Sequence, residues 1–332
     1  MSLFGKTFLG TWFKLKIPSR LMALCLSVMY FFTPYTSPAK DTPIASSDSC
    51  RMKFIAWADP QISNYILKRD RYFLAACEDV TSSKESFDAM LIAGDIAENG
   101  LPVEYAHVTG NLPVQNIRQF VMATGNHDIR LHPYKMTVRR FTEFTNTLNR
   151  MVGCDFTIDA LHYKTTVKGY TFLVLGSDRT EFEEAYLSDA QLQWLDSELQ
   201  AACGKGKPVF VTVHQPFKLT HGLPDTWGSP VDAAGSIGPQ SDALKAILSK
   251  YSKNVILISG HLHTGFGQYT YEKIDGIHSV NLPSLTIDNK DGRVNDNGLG
   301  CWVEVFRTKV VFHARNFATG TDIPSENIVI KF

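Results

Sequence analysis

The chain has 332 residues, 44% of them hydrophobic and 20% charged, an ordinary globular composition with enough apolar material for one large core or two smaller ones. Lysine plus arginine and aspartate plus glutamate each total 33, which excludes a global basic field of the kind that draws a protein to nucleic acid. A phosphodiester substrate survives that exclusion, because a metal in an active site supplies positive charge locally.

Residues 1–48 read as a leader and linker. Lys6, Lys14, Lys16 and Arg20 precede an uncharged apolar run, Leu21 to Phe32, and a Pro/Ser/Thr-rich stretch ending in Ser37-Pro38-Ala39 follows. This is the pattern of a secretory signal peptide, and the run is shorter than the roughly 20 residues of a spanning helix. The expectation is a secreted or periplasmic protein with no stable membrane span after cleavage; an uncleaved N-terminal membrane anchor is the alternative. Cys25 follows Leu24 rather than a small residue, which argues against lipid attachment. Cys50, Cys77, Cys154, Cys203 and Cys301 would remain, too widely spaced for a zinc module. They are expected to be structural, with one or two disulfides available in an oxidising compartment.

From residue 50 to 332 nothing marks a second domain. A first buried run, Met52 to Ala58, ends at Asp59-Pro60-Gln61 and leads into a helix over about Tyr65 to Thr81. The second, Ala89 to Ala93, ends in Gly94-Asp95-Ile96-Ala97-Glu98; the third, Phe120 to Ala123, ends in Thr124-Gly125-Asn126-His127-Asp128. Successive strand-then-helix units suggest parallel pairing. A helix over Pro133 to Leu148 follows, then strands over Leu161 to Thr166 and Tyr170 to Gly176, then a helix over Ser188 to Gln200 with Ser188 as its cap. The fourth run, Pro208 to Val213, stops at His214-Gln215-Pro216. Residues 217–240 lack periodicity and form a long loop of the kind that is functional or disordered. After a helix over Ser241 to Tyr251, the fifth run, Val255 to Ile258, ends in Ser259-Gly260-His261-Leu262-His263. Residues 265–332 turn to short strands and turns, expected to complete a second sheet and cap the site.

Singly, these endings have ordinary readings: Asp59 and Asn126 as turn residues, Asp95 as a helix cap, His214 as a satisfied core histidine. Together they point elsewhere, because parallel strands deliver their C-terminal ends to one edge, where ligands bind in open α/β sheets. Oxygen and imidazole ligands without thiolates suit zinc, manganese, iron or magnesium. Six or seven of them exceed one site, and two cations roughly 3.5–4 Å apart clamp both oxygens of a phosphoryl transfer.

The blocks Asp-x-Gln, Gly-Asp, Gly-Asn-His-Asp, Val-x-x-His and Gly-His-x-His, in this order from residue 59 to 263, resemble the signature of the calcineurin-like metallophosphoesterases. The resemblance implies an α/β fold, a two-sheet β-sandwich flanked by helices. It implies a phosphoric ester hydrolase, a phosphatase or phosphodiesterase, acting on a small phosphomonoester or phosphodiester by in-line attack of a metal-bound hydroxide at a dinuclear metal centre. Two divalent ions (Mn, Fe, Zn or Mg) would be the cofactors. Asp59, Gln61 and His263 would hold one, Asn126, His214 and His261 the other, and Asp95 would bridge them. His127 would contact the substrate and protonate the leaving alkoxide, with Asp128 orienting it. The competing class is a non-catalytic metal-containing binding protein of the same fold.

Departures from the family narrow the expectation. Most members carry histidine where this chain has Gln61, although a subset shares Asp-Pro-Gln; a directly ligating amide oxygen would favour manganese or magnesium over zinc. Gln61 hydrogen-bonding a ligand from outside is the other possibility. The arginines that serine/threonine protein phosphatases carry beside the second and third blocks are missing, and Glu98 stands where purple acid phosphatases carry tyrosine. Arg130 lies on the far side of its block. In the long loop, His221 and Trp227, with Phe217 and Asp225, are candidates for a substrate-pocket wall, Trp227 stacking on a base, covering an acyl chain or merely packing the loop. The oligomeric state has no signature in the sequence.

Overall fold

Short runs buried on both faces set the frame. The computed structural model describes residues 49–63, 65–229, 231 and 233–332; the leader assigned to 1–48, Cys25 included, lies outside the described residues. Strands β1 (Met52–Trp57), β2 (Ala89–Ala93) and β3 (Phe120–Ala123) pair in parallel, with α1 (Leu67–Ser82) and α2 (Pro102–Asn111) as crossovers. Helix α2 has no counterpart in the sequence reading. It buries only Glu104, Tyr105 and Val108 and carries an exposed Val103, too weak an apolar repeat to register. Then come α3 (Asn126–Ile129), α4 (Tyr134–Met151), β4 (Tyr163–Val167), β5 (Tyr170–Val174), α5 (Asp189–Cys203), β6 (Val209–Thr212), α6 (Ser241–Ser249), β7 (Val255–Ser259), β8 (Tyr271–Ile274) and β9 (Ile277–Asn281). The chain ends with β10 (Leu299–Val305), β11 (Lys309–Asn316), β12 (Thr321–Asp322) and β13 (Ile328–Lys331).

One sheet runs β12-β11-β10-β1-β2-β3, with β13 also on β11; the other runs β4-β5-β6-β7-β9-β8. Phe54 of β1 reaches across to Phe172 of β5 and Phe210 of β6, edge-on at 5.4 and 5.2 Å, while those two stack on each other at 4.8 Å. All three are fully buried, each worth roughly 2–3 kcal/mol of transfer free energy, so the sandwich is locked by this cluster. Leu192, Leu195 and Leu199 of α5 and Leu244 and Leu248 of α6 share a second apolar cluster with the second sheet. Ser188 caps α5 by accepting a hydrogen bond from the Gln191 amide at 3.2 Å.

Two expectations are corrected. The β-rich tail does not all join the second sheet: β8 and β9 do, whereas β10 pairs antiparallel with β1, from Met52↔Val305 to Ala56↔Cys301, and carries β11, β12 and β13 onto the first sheet. With β2 on one side only, β1, apolar except at Lys53, would otherwise present an open edge. Second, the five described cysteines are all free, and Cys77 and Cys301 are buried apolar residues rather than disulfide partners. Among the described residues no helix is long and apolar enough to cross a membrane.

Candidate metal centre

The parallel strands β1, β2 and β3 of one sheet and β6 and β7 of the other end on the same side of the sandwich. Asp59, Gln61, Asp95, Asn126, His214 and His261 all reach the interior there, none more than 2% exposed, and the His263 side chain is partly open to solvent. Asp59, Gln61, Asp95, His261 and His263 take left-handed backbone conformations, with φ between 43° and 74°. Such backbone costs on the order of 1–3 kcal/mol per non-glycine residue and persists where the surroundings over-determine it, typically at functional sites. Two glycines let the loops close on one another. A Cβ on Gly94 (φ +97°) would lie 2.5 Å from Nδ1 of His214, and one on Gly125 would lie 2.0 Å from Oδ1 of Asp95.

The two buried carboxylates stand among the imidazoles. Asp95 Oδ2 lies 3.2 Å from His214 Nε2, and Asp59 Oδ1 lies 3.2 Å from His263 Nε2 and 3.6 Å from His214 Nε2. Asp59 Oδ2 accepts from the His261 amide at 3.0 Å, and Asp95 Oδ1 from the His127 amide at 2.8 Å. His214 Nδ1 donates to the Ala93 carbonyl at 2.7 Å, which leaves Nε2 as the inward-facing atom. Ligand atoms of Asp95, His214 and His261 lie within 4.8 Å of one another. Burial disfavours the Asp95 carboxylate, but the charge of His214, then that of His127, holds it well below the usual range. Burial likewise works against a His214 cation, yet Asp95 and Asp59 push its pKa up to about 10. Burial and the charge on His214 drive His261 far down, so it stays neutral.

Four atoms decide what the cluster is missing. Gln61 Oε1, Asn126 Oδ1, His214 Nε2 and His261 Nε2 are buried and make no hydrogen bond. An unsatisfied buried polar atom costs roughly 1–3 kcal/mol, and four of them on the loops at one sheet edge call for a partner. Asn126 turns its Nδ2 outward, to the Phe182 carbonyl at 3.3 Å and Glu183 Oε2 at 3.1 Å, which leaves Oδ1 for the interior. The donor set is all oxygen and imidazole nitrogen, and it fits divalent cations of hard or borderline character. Chelation should therefore destabilise the protein, and manganese should restore a thermal midpoint higher by roughly 5 °C or more. Differential scanning fluorimetry checks this, an unchanged midpoint counting against a metal as the missing partner.

The third block divides its roles differently from expectation. Asp128 does not orient His127. Its carboxylate accepts from the amides of Gly125 (2.9 Å), Ile96 (3.2 Å) and Ala97 (3.0 Å) and from the Tyr105 hydroxyl (2.9 Å), clamping the loop after β2 to the start of α3. Both residues lie in α3, where neighbours in sequence point to different sides. Burial and the nearby Asp95 charge lift Asp128 to about 6 against the pull of its three amide donors. The group that holds His127 is Glu98: Nδ1 donates to its carbonyl at 3.0 Å and lies 3.4 Å from its Oε1. Burial disfavours the His127 cation, but the hydrogen bond to Glu98 and the charges of Asp95 and Glu98 raise its pKa. Arg69 in turn holds the Glu98 carboxylate and donates to the Gln61 carbonyl at 3.1 Å. Arg130 lies beside the site after all, 3.5 Å from Glu98, 4.0 Å from Glu183 and 5.3 Å over the Phe182 ring.

The long-loop candidates separate. His221 is fully buried, its Nδ1 paired with the Tyr269 carbonyl at 2.7 Å and its Nε2 with Ser279 Oγ at 2.8 Å, so it ties the loop to the second sheet and offers nothing to a substrate. Phe217 is core and Asp225 is exposed. Trp227 alone reaches the centre, its ring stacked on His261 at 4.4 Å. The sequence reading also missed a brace: Ser284 Oγ donates to the Asp59 carbonyl at 3.0 Å, Thr286 Oγ1 to Pro60 at 2.6 Å and Asn281 Nδ2 to Gly260 at 2.6 Å. That segment lies beyond the five blocks, so nothing in their pattern marks it.

A family model for calcineurin-like phosphoesterases matches residues 52–265. A 3',5'-cyclic-nucleotide phosphodiesterase of Nostoc sp. is 23% identical over 212 residues, 64% of this chain and 68% of that protein. Among solved structures, a dimetal phosphatase from Danio rerio superposes with a TM-score of 0.57 at 14% identity over 85% of this chain and 99% of its own. A purple acid phosphatase from yellow lupin seeds gives 0.58 at 13% identity over 84% of this chain and 53% of its own. At those identities the structures speak to the fold, the same two-sheet sandwich with helices outside. The family match carries more, running from the first residue of β1 to just beyond His263 and so taking in all five strand ends: the chain belongs to the calcineurin-like phosphoesterases and is a phosphoric ester hydrolase.

Proposed function

We propose that this edge is a dinuclear centre that hydrolyses small phosphomonoesters or phosphodiesters, with Asp59, Gln61 and His263 holding one divalent cation, Asn126, His214 and His261 the second, and Asp95 between them. Four buried side-chain atoms without a hydrogen-bond partner, on the loops that also bury the Asp59 and Asp95 carboxylates, carry this reading. When bound, two such cations supply charge for the phosphate oxygens and acidify water for in-line attack.

The chain's own residues do the rest. Asp95 fixes the backbone of His127 and Glu98 fixes its Nδ1, so Nε2 is the atom left to face the substrate. The same two carboxylates favour the imidazolium, which suits it to steady a phosphate oxygen and hand a proton to the leaving alkoxide. Glu98→Gln keeps the size of that support and removes its charge. It should cut kcat by about 10–100-fold with little change in bound metal, as groups that orient a functional side chain commonly do, and steady-state kinetics with metal analysis checks it. Gln61 offers a harder donor than imidazole, which supports manganese or magnesium over zinc in the first site. At the mouth, Phe182, 63% exposed beside Asn126, and Trp227 over His261 present ring faces that suit a flat or apolar leaving group.

Turnover of para-nitrophenyl phosphate and of its bis-ester, with and without manganese, tests the reading. Folded, metal-loaded protein that turns over neither would favour the non-catalytic metal-containing alternative. The basic and apolar leader supports secretion or periplasmic export, which N-terminal sequencing of the mature protein tests.

A further inference from the structure

An amide is an ambiguous ligand where a carboxylate is not. Asn126 can turn either Oδ1 or Nδ2 towards the centre, and only the oxygen has lone pairs for a cation. Its partners outside the centre decide which. The Nδ2 group donates to the Phe182 carbonyl at 3.3 Å and to Glu183 Oε2 at 3.1 Å, two neighbours in one short segment. A carbonyl oxygen only accepts, and so does an ionised carboxylate. The flipped amide would set Oδ1 against both acceptors, lose both hydrogen bonds and aim Nδ2 at the cations, so the chemistry of the partners fixes the orientation.

The segment that supplies these acceptors is itself held in place. It follows β5 and is closed at its base, where the Asp178 amide donates to the Tyr186 carbonyl at 2.8 Å and Ser177 Oγ accepts from the Tyr186 amide at 3.0 Å. Gln215, buried beside His214 after β6, donates from Nε2 to the Glu183 carbonyl at 2.7 Å. The Ala185 amide donates to the Ile237 carbonyl at 3.3 Å. Loops of the second sheet therefore place Glu183, and Glu183 acts on a residue that follows β3 of the first. Arg130 Nη1 lies 4.0 Å from its other oxygen, Oε1, beyond hydrogen-bond reach, so Asn126 is the closer contact.

We propose that Glu183 is a positioning residue for the second cation, holding the Asn126 amide with Oδ1 inward. This rests on the reading of Asn126 as a metal ligand. His214 carries no such ambiguity, because the Ala93 carbonyl takes its Nδ1 and leaves Nε2 inward. The dependence on Glu183 is therefore confined to the site that uses Asn126, and the site formed by Asp59, Gln61 and His263 is independent of it.

Calorimetric titration of chelator-stripped protein with manganese tests this. Glu183→Ala should weaken one of two sites by about 10–100-fold, the range for losing a group that orients a metal ligand, and leave the other unchanged. Glu183→Gln keeps a side-chain oxygen that accepts, and should recover most of that loss, since the role needs an acceptor rather than a charge. The Glu183 side chain is 38% exposed. The metal-free E183A protein should therefore keep its thermal midpoint within about 2 °C of the parent, which separates positioning from a general loss of stability. Both sites as tight in E183A as in the parent, E183Q as weak as E183A, or a metal-free midpoint that falls well beyond that margin would each overturn the proposal. A parent that binds no manganese would overturn the dinuclear reading with it, whereas two equivalents on the parent beside an unaffected E183A would overturn this inference alone.

Discussion

Replacing His127 with alanine is expected to lower kcat by about 10²–10⁴-fold while the protein retains its metal, the range for loss of a positioned general acid. The reason is geometric. The His127 ring nitrogens are engaged by Glu98 on one side and lie 3.9 Å from the nearer Asp95 oxygen on the other, whereas the unpartnered atoms of the cluster belong to Gln61, Asn126, His214 and His261. Removing the imidazole therefore takes nothing from the donor set. Asn126→Ala should show the opposite pattern, because it deletes a buried Oδ1 with no other partner: metal content falls, and activity returns in part at high manganese. Metal analysis by plasma emission beside steady-state kinetics separates the two. If both variants simply lost metal, the division of roles within Gly125-Asn126-His127-Asp128 would be wrong even with the family right.

Asp95→Asn should be the most damaging single change. The Asp95 carboxylate lies 3.2 Å from His214 Nε2 and also anchors the His127 amide, so the substitution removes one of two buried negative charges from the centre and loosens the third block together. Turnover is expected to fall by more than about 10³-fold, since on the proposed reading both the hold on the two cations and the placement of His127 depend on it. Bound metal should drop below one per chain. In the metal-free protein His214 loses its nearest counter-charge, and breaking a buried pair of this kind costs about 3–5 kcal/mol, read as a lower denaturant midpoint.

The family and the two-sheet fold are legible in the sequence for identifiable physical reasons. Runs such as Ala89 to Ala93 and Val255 to Ile258 are buried on both faces and stop abruptly at glycine and a polar group, which is what a parallel strand ending at a ligand edge must do. What stayed hidden depends on contacts between distant segments or on helical phase. Asp128 follows His127 in sequence, but α3 turns the two apart, and the support for His127 comes from Glu98 across the gap between strands. His221 and Trp227 are equivalent by composition, yet only the folded loop shows that one is tied to Ser279 and the other lies on His261. The pairing of β10 with β1 is a choice of partner that a local pattern of alternation does not encode.

The most direct test of the central reading is a manganese titration of chelator-stripped protein, with bound metal and hydrolysis of para-nitrophenyl phosphate measured on the same samples. Two cations held by one set of strand ends should give activity that is absent without metal and reaches its plateau at two equivalents per chain. Full activity in the stripped protein, or a plateau at one equivalent with no further binding, would contradict it.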